Sequence, residues 1–247
     1  TFAIFTRMRT EKTLIIIPTF NEIENISKII MAIFDTGLSI NILVVDDQSP
    51  DGTGQEVRKL MKTFPNKLFL ESRSGKKGLG SAYIDGFKWA LKSDYKYIFE
   101  MDADFSHQPK ELKSMIKILD SNVDLVIGSR YVKGVNVVNW PLSRILLSYF
   151  ASFYVQFITG MPIKDPTAGF VGYKRRVIET IDIDNIKFIG YAFQIELKYR
   201  AWTKNFIIKE HPIIFINRVY GKSKMNGNII WEAFFGVLLL RLKKEKF

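Results

Sequence analysis

An α/β domain with a mostly parallel central sheet and helices on both faces is the fold that this sequence predicts. Three observations predict it. Short apolar runs recur along the first half, each followed by a stretch of helical pattern, the rhythm of parallel strands joined by helices. The runs are apolar throughout instead of alternating, which suits strands covered on both faces. Polar or acidic clusters stand directly after several of them: Asn21-Glu22, Asp46-Asp47 and Asp102-Ala103-Asp104. Ligands of open α/β sheets bind at the carboxyl ends of the strands, so these clusters are expected to converge on one crevice.

Leu14-Ile15-Ile16-Ile17 is the first strand, ended by Pro18, which cannot donate to a ladder. A helix is expected around Asn25 to Ile33, a strand at Ile42 to Val45 and a helix from about Gly54 to Thr63, with Ser49 or Thr53 as its cap. Leu68 to Leu70, Tyr97 to Met101 and Leu125 to Gly128 continue the series of strands. The second half changes character. Residues 141–159 are apolar and aromatic, broken by Arg144, Ser148 and Gln156, and read as an amphipathic helix that suits either the core or a membrane interface. Gly190 to Trp202 is helical in pattern, Phe206 to Ile216 extended, and Val219 to Asn228 a Gly-, Lys- and Asn-rich loop. An apolar helix over 229–242 follows, then Lys243-Lys244-Glu245-Lys246.

With 247 residues, 47% hydrophobic and 25% charged, residues 1–247 are expected to form one domain. Cysteine is absent, which excludes disulfides and thiolate zinc sites, and His107 and His211 are too few for a histidine metal cluster. A net charge of +11 points to an anionic partner (nucleic acid, a phosphorylated substrate or acidic lipid), the plain alternative being a charge that only keeps the protein soluble. The basic residues form no aromatic-interleaved stripe, which argues against nucleic acid. Phe2 to Phe5 is too short for a secretory leader, and Ile229 to Leu240, interrupted by Glu232, falls short of the roughly 20 residues that span a bilayer. No membrane crossing is expected.

Asp102-Ala103-Asp104 carries the most chemistry. Carboxylates spaced i, i+2 where a buried strand runs into a loop can share a cation, and oxygen-only ligands suit Mg²⁺ or Mn²⁺, ions that hold phosphates. An isolated pair of this kind is otherwise a surface loop. Asp46 to Thr53 reads equally as turn chemistry or as carboxylates that bind a base or ribose. Gly75 to Ser81 lacks the Lys-Ser/Thr pair of a phosphate loop and offers at most a Gly-rich helix entry. Arg144 and Ser148, spaced i, i+4, would share a helix face where they could hold a lipid phosphate; a snorkelling arginine is the plain alternative.

Taken in order, several stretches resemble the family 2 glycosyltransferases, and among them the dolichyl-phosphate (polyprenyl-phosphate) mannose synthases. They are Pro18-Thr19-Phe20-Asn21-Glu22, Val45-Asp46-Asp47-Gln48-Ser49-Pro50-Asp51-Gly52-Thr53 and Met101-Asp102-Ala103-Asp104-Phe105-Ser106-His107. Gly128-Ser129-Arg130-Tyr131-Val132, Trp140-Pro141-Leu142-Ser143-Arg144 with Ser148, and Asp165-Pro166-Thr167-Ala168-Gly169-Phe170 follow. Tyr191 to Glu196 and Arg218-Val219-Tyr220-Gly221-Lys222-Ser223-Lys224-Met225 complete the set. The Trp-Pro…Arg…Ser and Arg…Gly-x-Ser-Lys-Met stretches belong to the mannose synthase branch far more specifically than the early motifs do.

The resemblance implies a GT-A (Rossmann-like) fold and metal-dependent, inverting transfer of mannose from GDP-mannose to a polyprenyl (dolichyl) phosphate. By position, Pro18, Phe20, Glu22, Val45 and Asp47 would line the nucleotide pocket. Asp102, Ala103 and Asp104 would hold the diphosphate and its Mg²⁺ or Mn²⁺, with Ser106 as a further ligand. Arg130, Arg144 and Ser148 would receive the acceptor phosphate, and Arg218 and Lys224 would close over the phosphates. Asp104 and Arg130 are the catalytic candidates. Residues 141–159 and 229–242 would dock on the cytoplasmic face of a membrane as peripheral interface helices, and the resemblance allows a small membrane anchor subunit as a partner. Phe20 stands where Tyr is usual, Ser106 where some members carry Gln, and Gly134-Val135 where Gly-Gly is common. A UDP-glucose-dependent relative and a non-catalytic binding module are the rival readings.

Overall fold

The computed structural model describes residues 12–75, 78–188, 190–217 and 227–242. The first half is a run of strands and helices in alternation: β1 (Thr13–Thr19), α1 (Ile23–Phe34), β2 (Ile40–Asp46), α2 (Thr53–Thr63), β3 (Leu68–Ser72), α3 (Leu79–Leu91), β4 (Tyr97–Glu100), α4 (Leu112–Leu119) and β5 (Leu125–Ser129). The second half adds β6 (Val137–Val138), α5 (Leu142–Thr159), β7 (Val171–Lys174), α6 (Arg175–Thr180), α7 (Tyr191–Thr203), β8 (Ile208–Pro212), β9 (Phe215–Ile216) and α8 (Gly227–Leu242).

Seven strands form one sheet in the order β3-β2-β1-β4-β7-β5-β8. All pairs are parallel except those of β7, which runs antiparallel between β4 and β5. The expected α/β sheet, mostly parallel with helices on both faces, is therefore present. Strand alternation divides the core. Leu14 and Ile16 face the layer of α3, α5, α6, α7 and α8, whereas Ile15 and Ile17 face α1, α2 and α4.

Three local readings differ from the structure. β1 runs on through Pro18 to Thr19. Ile16 turns its carbonyl to the Met101 N–H, and Pro18, two residues on, faces the same side, past the last residue of β4, where no donor is missed. The extended stretch expected over Phe206 to Ile216 divides into β8 and β9, because Ile213 breaks from the strand to donate to Ser129 O and β9 pairs instead with β6. Asp51, rather than Ser49 or Thr53, accepts the Thr53 N–H at the start of α2.

α5 fills the expected helix, with an inverted pattern. Its buried side chains are Ser152, Val155 and Thr159, while Leu142, Phe150, Phe153 and Phe157 stand 62–76% exposed. It packs beside α8, where Tyr154 stacks on Phe234 at 4.8 Å, and Phe235 and Leu242 are exposed in turn. Among the described residues no helix is long and apolar enough to cross a membrane.

β7 joins the two halves of the sheet, and Gly172 makes its close fit possible: a Cβ there would lie 2.5 Å from the Phe99 ring. Gly172→Ala is expected to cost about 1–3 kcal/mol through overpacking, read as a lower urea midpoint at unchanged slope.

Candidate active site

The carboxyl ends of β1, β2, β4 and β5 meet along one rim. Asp46, the last residue of β2, accepts from Thr19 Oγ1 at 2.9 Å, from Ser49 N at 3.0 Å and from Ser49 Oγ at 2.6 Å. Ser49 Oγ accepts the Asn21 N–H, Thr53 Oγ1 the Glu22 N–H and Asp51 the Ile23 N–H. Asp46, Ser49, Asp51 and Thr53 thus lock the loop after β2 to the loop after β1, the turn chemistry that is one of the two readings of this stretch.

Asp47 does something else. It is buried and paired with Arg73, whose Nε donates to its Oδ1 at 2.6 Å. The same guanidinium reaches Ser81 Oγ at 2.8 Å, Asp85 at 3.1 Å and Gly78 O at 3.3 Å, so it ties the β2 end to the entry of α3. Arg73 is absent from the residues read out of the sequence; its one signal is its place just past β3, where the other strands carry polar clusters. A cleft of about 490 Å³ opens beside it, lined among others by Gln48, Ser49, Arg73 and Ser74. Phe20 is half-buried, Glu22 is buried and bonded to Asn25, and Val45 underlies the rim wholly within the core.

Past β4 the chain makes a tight turn with Phe105 at φ +62°. His107 Nδ1 accepts the Asp102 N–H at 3.0 Å, so the ring proton sits on Nε2. Asp104 Oδ1 accepts the Ser106 N–H at 3.1 Å. Both bonds bend the segment back on itself, with the Asp102 side chain 37% exposed and Asp104 buried. The His107 ring lies between Phe170, 5.1 Å away, and Phe215 at 5.7 Å. Burial there pushes its pKa down to about 4, with Asp104 opposing and Arg130 reinforcing the shift.

The residues present fit a hard divalent cation. Asp102 and Asp104 supply oxygen ligands, and Ser106 Oγ, two residues on, is buried without a hydrogen-bond partner, the state of a hydroxyl whose partner is not protein. No group of three or more His, Asp or Glu side chains gathers among the described residues, so such an ion would keep most of its sphere for phosphate and water.

On the other side of the rim stands Arg130, directly after β5. Its Nε and Nη2 donate to the two oxygens of Asp165 at 2.8 and 2.6 Å, its backbone N–H adds a third bond to Asp165, and Nη2 also reaches Thr167 Oγ1 at 2.8 Å. Asp165 is itself held by Glu210 of β8, which accepts the Lys164 and Asp165 N–H groups. Aromatic rings then gather the other basic residues. The Arg130 guanidinium lies over the Trp140 and Phe215 rings at 5.6 Å and over Tyr131 at 5.2 Å, and that of Arg144 lies over Trp140 at 4.0 Å. Tyr131 donates to Ser148 Oγ at 2.8 Å. Arg130, just past β5, and Arg144 and Ser148, on α5, are brought together around Trp140 and Tyr131. Arg218, Lys222 and Lys224 lie outside the described residues.

The glycosyl transferase family 2 profile matches residues 14–182. The chain belongs to the family 2 glycosyltransferases. It is 46% identical over 228 residues to a polyprenol monophosphomannose synthase of Mycolicibacterium smegmatis, covering 92% of this chain and 86% of that protein. It is 42% identical over 226 residues to an undecaprenyl-phosphate mannosyltransferase of Micrococcus luteus, covering 92% of each. Among solved structures, glucosyl-3-phosphoglycerate synthase from Mycobacterium tuberculosis with Mn²⁺, uridine-diphosphate and phosphoglyceric acid superposes with a TM-score of 0.65 at 14% identity, covering 94% and 78% of the two chains. A mannosyltransferase from Pyrobaculum calidifontis in complex with GDP-Man and Mn²⁺ gives 0.57 at 15% identity, covering 94% and 70%. The fold of this glycosyltransferase is therefore the GT-A fold that the family resemblance implies.

Two expectations follow from this geometry. The folded enzyme holds His107 neutral, so the stability it contributes is complete above pH 6.5, its unfolded value, and is lost as the pH falls toward about 4. His107→Asn keeps an acceptor for the Asp102 N–H and should flatten that acid limb, read as a smaller drop in melting temperature between pH 7 and 4 than the wild type shows. Asp165→Ala, which leaves the Arg130 charge buried without its partner, is expected to cost about 3–5 kcal/mol in urea unfolding.

Proposed function

We propose that this enzyme transfers mannose from GDP-mannose to a polyprenyl (dolichyl) monophosphate, with inversion, giving polyprenyl-phosphate mannose at a membrane surface. The observation that carries the reading is the double use of α5. One face brings Arg144 and Ser148 to the Arg130 cluster, and the other turns Leu142, Phe150, Phe153 and Phe157 outward. An oily acceptor with a charged head needs both at once. The names of the two sequence relatives and the GDP-Man complex of the Pyrobaculum calidifontis enzyme point the same way.

In this reaction an acceptor phosphate oxygen bonds to the anomeric carbon as the bond from that carbon to the GDP oxygen breaks, its electron pair leaving on the diphosphate. The acceptor is already anionic, so no general base is required. His107 fits that chemistry, since its lone pair is committed to the Asp102 N–H. The barrier is electrostatic: two anions must approach each other. Mg²⁺ or Mn²⁺, when bound, would neutralise the departing diphosphate. Asp102, Asp104 and Ser106 would hold that ion, and Asp104 and Arg130 would carry the catalytic role. Pro18, Phe20, Glu22 and Asp47 would take the nucleoside, with Ala103 at the diphosphate. Arg130, Arg144 and Ser148 would receive the acceptor phosphate, and Arg218 and Lys224 would close over the phosphates. Residues 141–159 and 229–242 would rest on the cytoplasmic face of the membrane, with or without a small anchor subunit.

The test is transfer of radiolabelled sugar to polyprenyl phosphate in vesicles, with GDP-mannose and UDP-glucose compared side by side. Mannose is expected in the lipid phase, abolished by EDTA and restored by Mn²⁺ or Mg²⁺. Asp104→Asn is expected to lower kcat by about 100-fold or more, and Arg144→Ala to raise the acceptor KM by roughly tenfold, the worth of one charge-assisted bond. Label arriving only from UDP-glucose would assign the other donor, and full transfer by Asp104→Asn would refute the site.

A further inference from the structure

Beneath the rim lies a buried polar network that none of the steps above uses. Lys198, in the middle of α7, is wholly buried. Its ammonium donates to Ala168 O at 2.7 Å, to Gln194 Oε1 at 3.0 Å and to Gln194 O at 3.1 Å, which uses all three of its donors. The Gln194 amide nitrogen passes the connection on to Glu100 Oε2 at 2.9 Å, an oxygen that also accepts from Tyr173 OH at 3.2 Å. The two ends of this chain of bonds are informative. Glu100 is the last residue of β4, two residues before Asp102. Ala168 lies in the segment whose Asp165 and Thr167 grip Arg130.

A methionine would fill the volume of Lys198 without the desolvation cost of a buried cation, so packing alone does not account for the charge. The segment that Lys198 holds is also fastened at both ends by other bonds. Glu210 fixes Lys164 and Asp165 from β8, and Phe170 O accepts the Gly128 N–H of β5. Lys198 therefore acts on the middle of a loop whose ends are secured, where its effect falls on position instead of attachment.

We propose that Lys198, with Gln194 as its relay, is a positioning residue that sets the distance between the Asp102–Asp104 end of β4 and the loop carrying Asp165 and Thr167. Through that distance it fixes the separation of the donor diphosphate from the acceptor phosphate held at Arg130. The inference rests on the transfer reaction proposed above. It assigns a catalytic consequence to a side chain that touches neither substrate, because a displacement of about 1 Å between reacting groups can cost on the order of 100-fold in rate.

The experiment compares Lys198→Met and the double variant Glu100→Gln/Lys198→Met with the wild type, using the full chain and the sugar donor that the wild type accepts. Lys198→Met is expected to bind GDP and Mn²⁺ within about twofold of the wild type, since the Asp47–Arg73 and Asp102–His107 contacts are untouched, while kcat falls by about 10- to 100-fold. Amide hydrogen exchange should quicken at residues 165–170 and not in α1 or α2. The double variant, relieved of the uncompensated Glu100 carboxylate, should regain the thermal midpoint lost by the single variant and not its rate. Unchanged transfer and exchange in Lys198→Met would overturn the proposal. So would a rate that returns together with the midpoint in the double variant, or failure of both variants to fold, since either outcome makes Lys198 a matter of core stability alone. A wild type that transfers no sugar refutes the proposed reaction instead. Exchange at 165–170 then decides the positioning role by itself: faster in Lys198→Met supports it, unchanged refutes it.

Discussion

The rim past β5 in this glycosyltransferase depends on one buried ion pair, Arg130 with Asp165. Asp165 has no contact with water and takes three hydrogen bonds from Arg130, two from the side chain and one from the backbone. A charge pair so far from solvent is a poor source of stability, because desolvation offsets most of the attraction. It is a strong source of geometry. A bidentate guanidinium–carboxylate contact fixes a plane as well as a distance, and here that plane faces Trp140, Phe215 and Tyr131. β6 and β9 can be read as the consequence. A two-residue ladder is marginal by itself, yet it lies where the chain must be held for Trp140 and Phe215 to meet edge to face at 5.3 Å and cover Arg130.

The rim past β2 and β4 solves a related problem with opposite signs. Asp46 and Asp47 stand at the carboxyl end of β2 and Asp102 and Asp104 just past that of β4, with β1 between the two strands, where like charges would repel one another and any incoming phosphate. Each of the three buried ones is given donors. Asp46 has a threonine and a serine, Asp47 has Arg73, and Asp104 has a backbone N–H. Asp102 is the one of the four left substantially exposed. His107 completes the division of labour. As a neutral ring among aromatics it orients the turn without adding a charge to a region that already holds too many.

Much of this was legible in the chain itself, and what was not has identifiable causes. Apolar runs long enough to be covered on both faces marked β1, β2, β4 and β5 because burial on two sides leaves no room for polar residues. β7 is four residues with a glycine and a tyrosine, and it enters the sheet from far along the chain, so no local pattern announces an antiparallel strand between β4 and β5. The adjacent Asp46 and Asp47 looked alike and have different tasks, because one closes a turn and the other meets an arginine 26 residues away. Arg73 itself carried no motif. The motifs for Arg130, Arg144 and Ser148 named the residues without saying how they meet. The answer lies in Trp140 and Tyr131, side chains whose role appears only when the helix and the strand end are folded together.

The inverted pattern of α5 bears on how the two parts of the rim are used. A helix in a soluble core hides its large side chains and shows its small ones, whereas α5 buries Ser152 and Thr159 and shows phenylalanines. The hydroxyls of Ser152 and Thr159 bond back to carbonyls of their own helix, so that face is internally satisfied and packs closely against the domain. The outward face has no such closure. Four large apolar residues over four turns make a patch that water disfavours and that an apolar medium would cover. Since Arg144 and Ser148 sit on the same helix, whatever covers that patch is delivered in register with the guanidinium groups. A charged head on an oily chain meets both conditions, and a free phosphate meets only one.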